Sequence, residues 1–234
     1  MRRLFQSLFF ALVITWPAVA SAAQDWPLGS GPSRSADVPS DSMLNDSERG
    51  RIGVRRFGEC VLYTRRKDVI SYFTMKMDST LSQKALDRLI TDRCLRSGDL
   101  KFSHWYYRGI LFRAAYYREF TLFPEVLSPE PVDFDAFVLD KTSEKAKYYL
   151  ATMAFAQCVV RADPKMALRF INAYPGSASE RKAIAALKPN LAGCVPAGAK
   201  ISFSTSMVEA LLSEAIYRES KAAASARSAP EAKK

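Results

Sequence analysis

The chain has 234 residues, with 34 Lys or Arg against 24 Asp or Glu, one histidine and four cysteines. Its 48% hydrophobic content is ordinary for a globular protein, so a packed core is expected. Composition sets aside most metal chemistry, because with one histidine and no CxxC a zinc site would have to gather all four cysteines from distant positions.

Residues 1–22 read as an export signal. Arg2 and Arg3 form a basic start, and Leu4 to Val19 is an apolar run interrupted by Gln6, Ser7, Thr15 and Pro17. Small residues at Ala20 and Ala22 then place cleavage between Ala22 and Ala23. The competing reading is a retained anchor, but the run is short for a span of about 20 residues. A lipoprotein is disfavoured because the first cysteine is Cys60, and "RRLF" only faintly resembles a twin-arginine signal, which leaves the general secretory route. Without its signal the chain keeps 32 basic and 24 acidic residues, a charge of +8. That excess either aids solubility or marks anionic neighbours such as envelope phosphates, acidic glycans or acidic proteins. The Pro/Ser/Gly-rich segment 23–44 is expected to be disordered.

Residues 45–120 and 142–219 read as two copies of one unit. At an offset of 98 residues Phe57 meets Phe155, Cys60 meets Cys158, Lys67 meets Lys165 and Ser79 meets Ser177. Two residues enter the second copy near Pro189, after which Cys94 meets Cys194, Leu111 meets Leu211 and "YRE" from Tyr117 meets "YRE" from Tyr217. Self-similarity at a long period defines the unit of a fold. Four cysteines permit three pairings. Equivalence of the copies argues against joining like to like. Cys60–Cys94 with Cys158–Cys194 is the simple solution, and Cys60–Cys194 with Cys94–Cys158 the swapped one. Each simple bridge closes a loop worth on the order of 3–4 kcal/mol.

The second copy shows its helices clearly. Ser143 caps a helix that carries Tyr149, Leu150, Met153 and Cys158 up to Val160. Asp163 caps a second helix with Pro164 in its first position, and "YPGS" ends it. Ser177 or Ser179 opens a third with Ile184 and Leu187 inward, and Pro189 should stop it before Cys194. "KISFS" reads as short and extended. Met207, Val208, Leu211, Leu212, Ala215 and Ile216 then form one apolar helical face. The first copy follows the same plan, with Gly50, Gly53 and Gly58 weakening its first helix and a far more aromatic last helix, "HWYYRGILFRAAYYREF". The fold class expected is all-α: two tandem disulfide-pinned helical repeats of about four short helices each. Residues 121–141 form an acidic, proline-containing linker that Phe134, Phe137 and Val138 should dock across a unit, and 220–234 should be a disordered tail.

Chemistry-bearing motifs are scarce. No HExxH, GxSxG, GxxxxGK[ST] or GxGxxG occurs. His104 sits among Trp105, Tyr106 and Tyr107 and reads as structural. Asp133 with Asp135, and Asp87 with Asp92, are the nearest approaches to paired carboxylates and read as solvated surface. Glu119 and Glu219 recur beside Arg118 and Arg218 and read as helix-end contacts within each unit. No catalytic residue, cofactor or metal ligand is assigned. The basic balance is uneven, with 16 basic and 9 acidic residues in 45–120 against 10 and 6 in 142–219. Aromatic residues interleave with arginines in the first copy, a mixture that stacks sugars or holds phosphates. A candidate ligand surface there comprises Arg55, Arg56, Arg65, Arg66, Trp105 and Arg108; the alternative is core aromatics with snorkelling arginines.

The order "FAQCVVRADP", "PGSASER", Cys194 and "ALLSEAIYRE" resembles a group of exported alphaproteobacterial proteins that repeat a cysteine-paired helical unit. The resemblance covers roughly 45–120 and 142–219. It implies duplication and export and carries over no catalytic or binding residue; the first copy departs from it at Gly53, Gly58 and its aromatic last helix. The function expected is a periplasmic or secreted, non-enzymatic protein that interacts with a protein or envelope partner, without a transmembrane segment after signal cleavage. Nucleic acid is not an expected partner of an exported protein. The alternatives are a module for an anionic ligand on the basic aromatic surface of the first copy, and an enzyme using dispersed residues.

Overall fold

The computed structural model describes residues 37–95, 100–120, 127–196 and 202–228, and within them the protein is all-helical. Eight α-helices follow in order: α1 (Asp46–Thr64), α2 (Arg66–Phe73), α3 (Thr80–Leu89), α4 (His104–Glu119), α5 (Glu144–Ala162), α6 (Pro164–Asn172), α7 (Ala178–Gly193) and α8 (Thr205–Ser228). The helices of 45–120 and 142–219 thus come in the same sequence of long, short, third and last.

Side-chain caps set most of the starts, since the first backbone N–H groups of a helix have no partner inside it. Asn45 and Glu48 form a reciprocal capping box at α1. Ser79, Ser103, Ser143 and Ser177 accept from the third residue of α3, α4, α5 and α7. Asp163 does the same for α6, with Pro164 at its first position. Gly176 supplies the left-handed turn before α7, at φ +78°.

The disulfides are Cys60–Cys94 and Cys158–Cys194, the simple pairing. The first ties α1 to a 3-10 turn after α3, and the second ties α5 to the end of α7. α1 packs on α4 and α5 on α8, while α4 and α8 lie against each other at the centre. They run in the same direction: near their starts Tyr106 reaches Glu209, and near their ends Glu119 reaches Tyr217 and Lys221. Between these points the backbones nearly touch, since a Cβ on Gly109 would lie 2.3 Å from Ala210 Cα. One hydrophobic cluster takes residues from all eight helices, with Phe73 stacked on Phe112 at 3.8 Å and Tyr217 edge-on to Phe73.

Three expectations change. α7 runs through Pro189 to Gly193, because a proline near a helix end removes one backbone hydrogen bond without preventing the last turn. α8 runs to Ser228, with Ser220 and Ala223 buried, so 220–228 is helix rather than disordered tail; 229–234 lie outside the described residues. The segment expected to be disordered is structured over 37–44. There Leu44 is buried, and Asp37 accepts from the N–H groups of Ala178 and Ser179 at 3.1 and 3.0 Å, satisfying the open start of α7. Residues 23–36 lie outside the described residues, as does the start of "KISFS". The linker docks as expected, on both halves. Phe134 and Val138 are buried, Met77 N–H donates to Phe137 O at 2.7 Å, and Arg161 donates to Ser128 O at 3.0 Å.

Candidate functional site

The six residues of the candidate ligand surface do not form one surface. Arg55 and Arg108 are buried, 6% and 1% exposed, and both are engaged by acids of α8. Arg56 and Arg66 are exposed, Arg65 pairs with Asp68, and Trp105 is half-buried against Tyr148 and Tyr149.

The buried arginines instead join the two halves. Arg51 donates to Glu209 Oε2 from Nε at 3.0 Å and from Nη2 at 2.8 Å, and also pairs with Glu180. Arg55 donates to the other oxygen of Glu209 and, at 2.7 Å, to Ala173 O. Arg113 donates to Ile171 O at 2.8 Å, and the Tyr106 hydroxyl lies 3.3 Å from Glu209 Oε2. Burial opposes the charge of Glu209, but Arg55, Arg51 and Arg113 outweigh it and hold the carboxyl below its usual range. Arg55 Nη2 alone among these guanidinium nitrogens is buried without a protein partner.

A second cluster sits further along the α4–α8 pair. Arg108 clasps Glu214 with both oxygens, at 2.8 and 2.7 Å, and donates to the Tyr72 hydroxyl at 2.8 Å. Tyr149 and Arg218 donate to Glu214 Oε1 at 2.8 and 2.9 Å. Burial again works against the acid, but Arg108 and Arg218 bring it down to about 2. Glu219, fully buried, takes Arg161 at 2.8 Å and Gln157 at 2.7 Å. Arg218 and Glu219 are therefore not a helix-end pair with each other, and Glu119 reaches across to Tyr217 and Lys221 rather than staying within its unit. These acids and bases neutralise one another in the interior, so they offer no group to a ligand.

A signal for these partners was present in the sequence. Glu209 and Glu214 interrupt the apolar run of α8, as Arg108 and Arg113 interrupt α4. Charges embedded in core-forming helices require opposite charges from another element.

His104 opens α4, half exposed, with Nε2 3.0 Å from Asp87 Oδ1. Among the described residues no hydroxyl or thiol hydrogen-bonds to it, as an activated nucleophile would. Asp133 and Asp135 are taken up by a turn and by Lys141. Among the described residues no three His, Cys, Asp or Glu side chains come together as metal ligands.

A cluster of surface cations lies at the end of the central helix pair. Arg66 and Lys67 at the start of α2, Arg118 at the end of α4 and Lys221 on α8 line an open groove of about 810 Å³ with Ile70 and Glu119. Among the described residues Glu119 is the one acid in the lining, and it is shared between Lys221 at 3.2 Å and the Tyr217 hydroxyl. Among the described residues, the side chains of Arg66, Lys67 and Arg118 have no ion-pair or hydrogen-bond partner. Of the candidate surface, this groove retains Arg66. It combines the starts and ends of helices far apart in sequence, which spacing along the chain cannot bring together.

No family model, no curated protein and no solved structure matches the chain, so the resemblance to exported alphaproteobacterial proteins rests on the quoted residues alone.

Proposed function

We propose that the protein is exported and acts without catalysis, holding an anionic group of an envelope component or partner in the groove of Arg66, Lys67, Arg118 and Lys221. One observation carries the reading: among the described residues, four cations converge on a groove with a single acid, and the side chains of three of them have no partner there. The arginines of the core, by contrast, are paired: Arg51, Arg55 and Arg108 each meet a buried glutamate. Cations held together without a counter-charge repel one another, so an anion that enters relieves the repulsion as well as gaining attraction. Two disulfides and the signal-like start of the sequence support export to an oxidising compartment. The element order repeated in the two halves supports duplication of a cysteine-paired unit.

The test is binding of the purified protein to phosphatidylglycerol vesicles and to a soluble anionic polysaccharide, in low and high salt. Binding to either should fall steeply with salt. It should be lost in Arg118→Glu/Lys221→Glu, and retained in Arg56→Glu, which alters an exposed cation outside the groove. Vesicle binding alone would identify a lipid headgroup, and polysaccharide binding alone an acidic glycan. Equal binding by the groove variant and the wild type would refute the proposal.

A further inference from the structure

At the opposite end of the α4–α8 pair lies a second groove, of about 510 Å³, with a different character. Among the described residues, none in its lining is charged. Its apolar walls are Trp105, Tyr148, Phe203 and Met207. Trp105 and Tyr148 meet edge to face, with ring centres 5.2 Å apart and planes at 74°, so the two rings make a corner. Tyr148 is 48% exposed, so its ring is open to a ligand. Trp105 is held from behind by Tyr149, and Phe203 by Phe155 at 5.1 Å, so these walls are braced by the core.

The rest of the lining is hydroxyl. Ser103 and Ser204 precede α4 and α8, and each accepts a backbone N–H, from Tyr106 and Met207 respectively. A serine that caps a helix uses a lone pair and keeps its O–H to donate elsewhere. Ser204 and Ser206 lie 2.9 Å apart, a pair of hydroxyls at the groove edge. Aromatic faces take up the C–H face of a pyranose ring, and serine hydroxyls match its hydroxyl rim as both donors and acceptors. A charged ligand would enter without a counter-charge, and a purely apolar one would leave the serines unpaired.

From this lining we infer that the groove at the starts of α4 and α8 binds an uncharged sugar ring of a glycan. It stands independently of the basic groove, from which it is separated by most of the length of α4, about 20 Å. A glycan carrying an acidic group at that distance would reach both.

The experiment screens the purified protein on an array of neutral oligosaccharides, then measures affinity for the strongest responder by calorimetry at low and high salt. The expected result is binding that salt does not weaken, a fall of roughly tenfold in Tyr148→Ala, and no change in Arg118→Glu/Lys221→Glu. Trp105 also packs on Tyr149, so Trp105→Ala is read only alongside its circular dichroism spectrum. Tyr148, half exposed, is the variant that keeps the fold and decides. No neutral oligosaccharide bound, affinity unchanged in Tyr148→Ala, or binding abolished by salt or by the basic-groove variant would each overturn the inference. Capture of a proline-rich peptide in this groove, with no sugar bound, would overturn it in favour of a peptide site.

Discussion

Gly109 tests the central helix pair directly. A methyl group there would lie 2.3 Å from Ala210 Cα, 2.4 Å from its Cβ and 2.6 Å from its carbonyl oxygen. All three are parts of α8 that no rotamer change can move, so α4 and α8 must separate. Overpacking costs about 1–3 kcal/mol, and a contact with backbone belongs at the upper end. Alanine recovers up to about 1 kcal/mol of helix propensity, leaving a net loss near 2 kcal/mol. For a domain of this size that lowers Tm by roughly 4–8 °C. Gly50 is the matched control, because it too lies within a helix and a Cβ there meets nothing within 4 Å. Gly50→Ala should raise Tm by about 2–4 °C, since only the propensity gain remains. Thermal and urea denaturation followed by far-ultraviolet circular dichroism measures both. If Gly109→Ala is as stable as the wild type, the close approach of α4 to α8 is wrong, and with it the joining of the two halves at this point.

Other predictions follow from the buried charges and the bridges. Glu214→Gln leaves Arg108 and Arg218 unbalanced in the interior and should cost about 3–5 kcal/mol, measured as a drop in the urea midpoint. The folded carboxyl of Glu214 titrates at about 2, below its unfolded value, so its contribution is present above about pH 4.5 and is lost as pH falls toward 2. That contribution is on the order of 3 kcal/mol, and Glu214→Gln should flatten the acid limb of the stability curve. At the alkaline end, burial pushes the hydroxyls of Tyr106, Tyr107 and Tyr149 up, so in the fold they stay protonated beyond the usual tyrosine range, where the unfolded chain ionises. Stability should therefore decline as pH rises beyond that range, with these tyrosines ionising only on unfolding, as read by ultraviolet difference absorption. Replacing Cys158 and Cys194 together by serine should cost about 3–4 kcal/mol, because each bridge closes a loop of similar length. The Cys60/Cys94 pair should cost a similar amount, and a loss near zero for either pair would count against the loop-closure account.

Much of this protein was settled by local chemistry. Asp163 before Pro164, Ser143 before Glu144 and the glycine of "YPGS" mark helix boundaries, because caps and turns depend on neighbours a few residues away. Repetition of both cysteines at nearly equal spacing, 34 and 36 residues, favoured the simple pairing, and the helical period of the apolar residues gave an all-α fold. Helix length was less legible. Pro189 and the alanine-rich stretch after Lys221 looked like endings, but α7 and α8 continue, α8 because neighbouring helices bury Ser220 and Ala223.

What composition could not reveal is which arginines face water. Arg55 and Arg56 are adjacent in sequence, yet the first is locked onto Glu209 and the second is exposed. The difference is the direction of a side chain on α1 relative to α8, more than 150 residues away. Likewise, Arg66, Arg118 and Lys221 become one groove only when α2, α4 and α8 meet. The sequence by itself determined the helices, their order and the cysteine spacing, since these follow from local caps and periodicity. Tertiary structure alone decided which charges neutralise one another inside and which stay free on the surface, because that depends on distances between residues far apart along the chain.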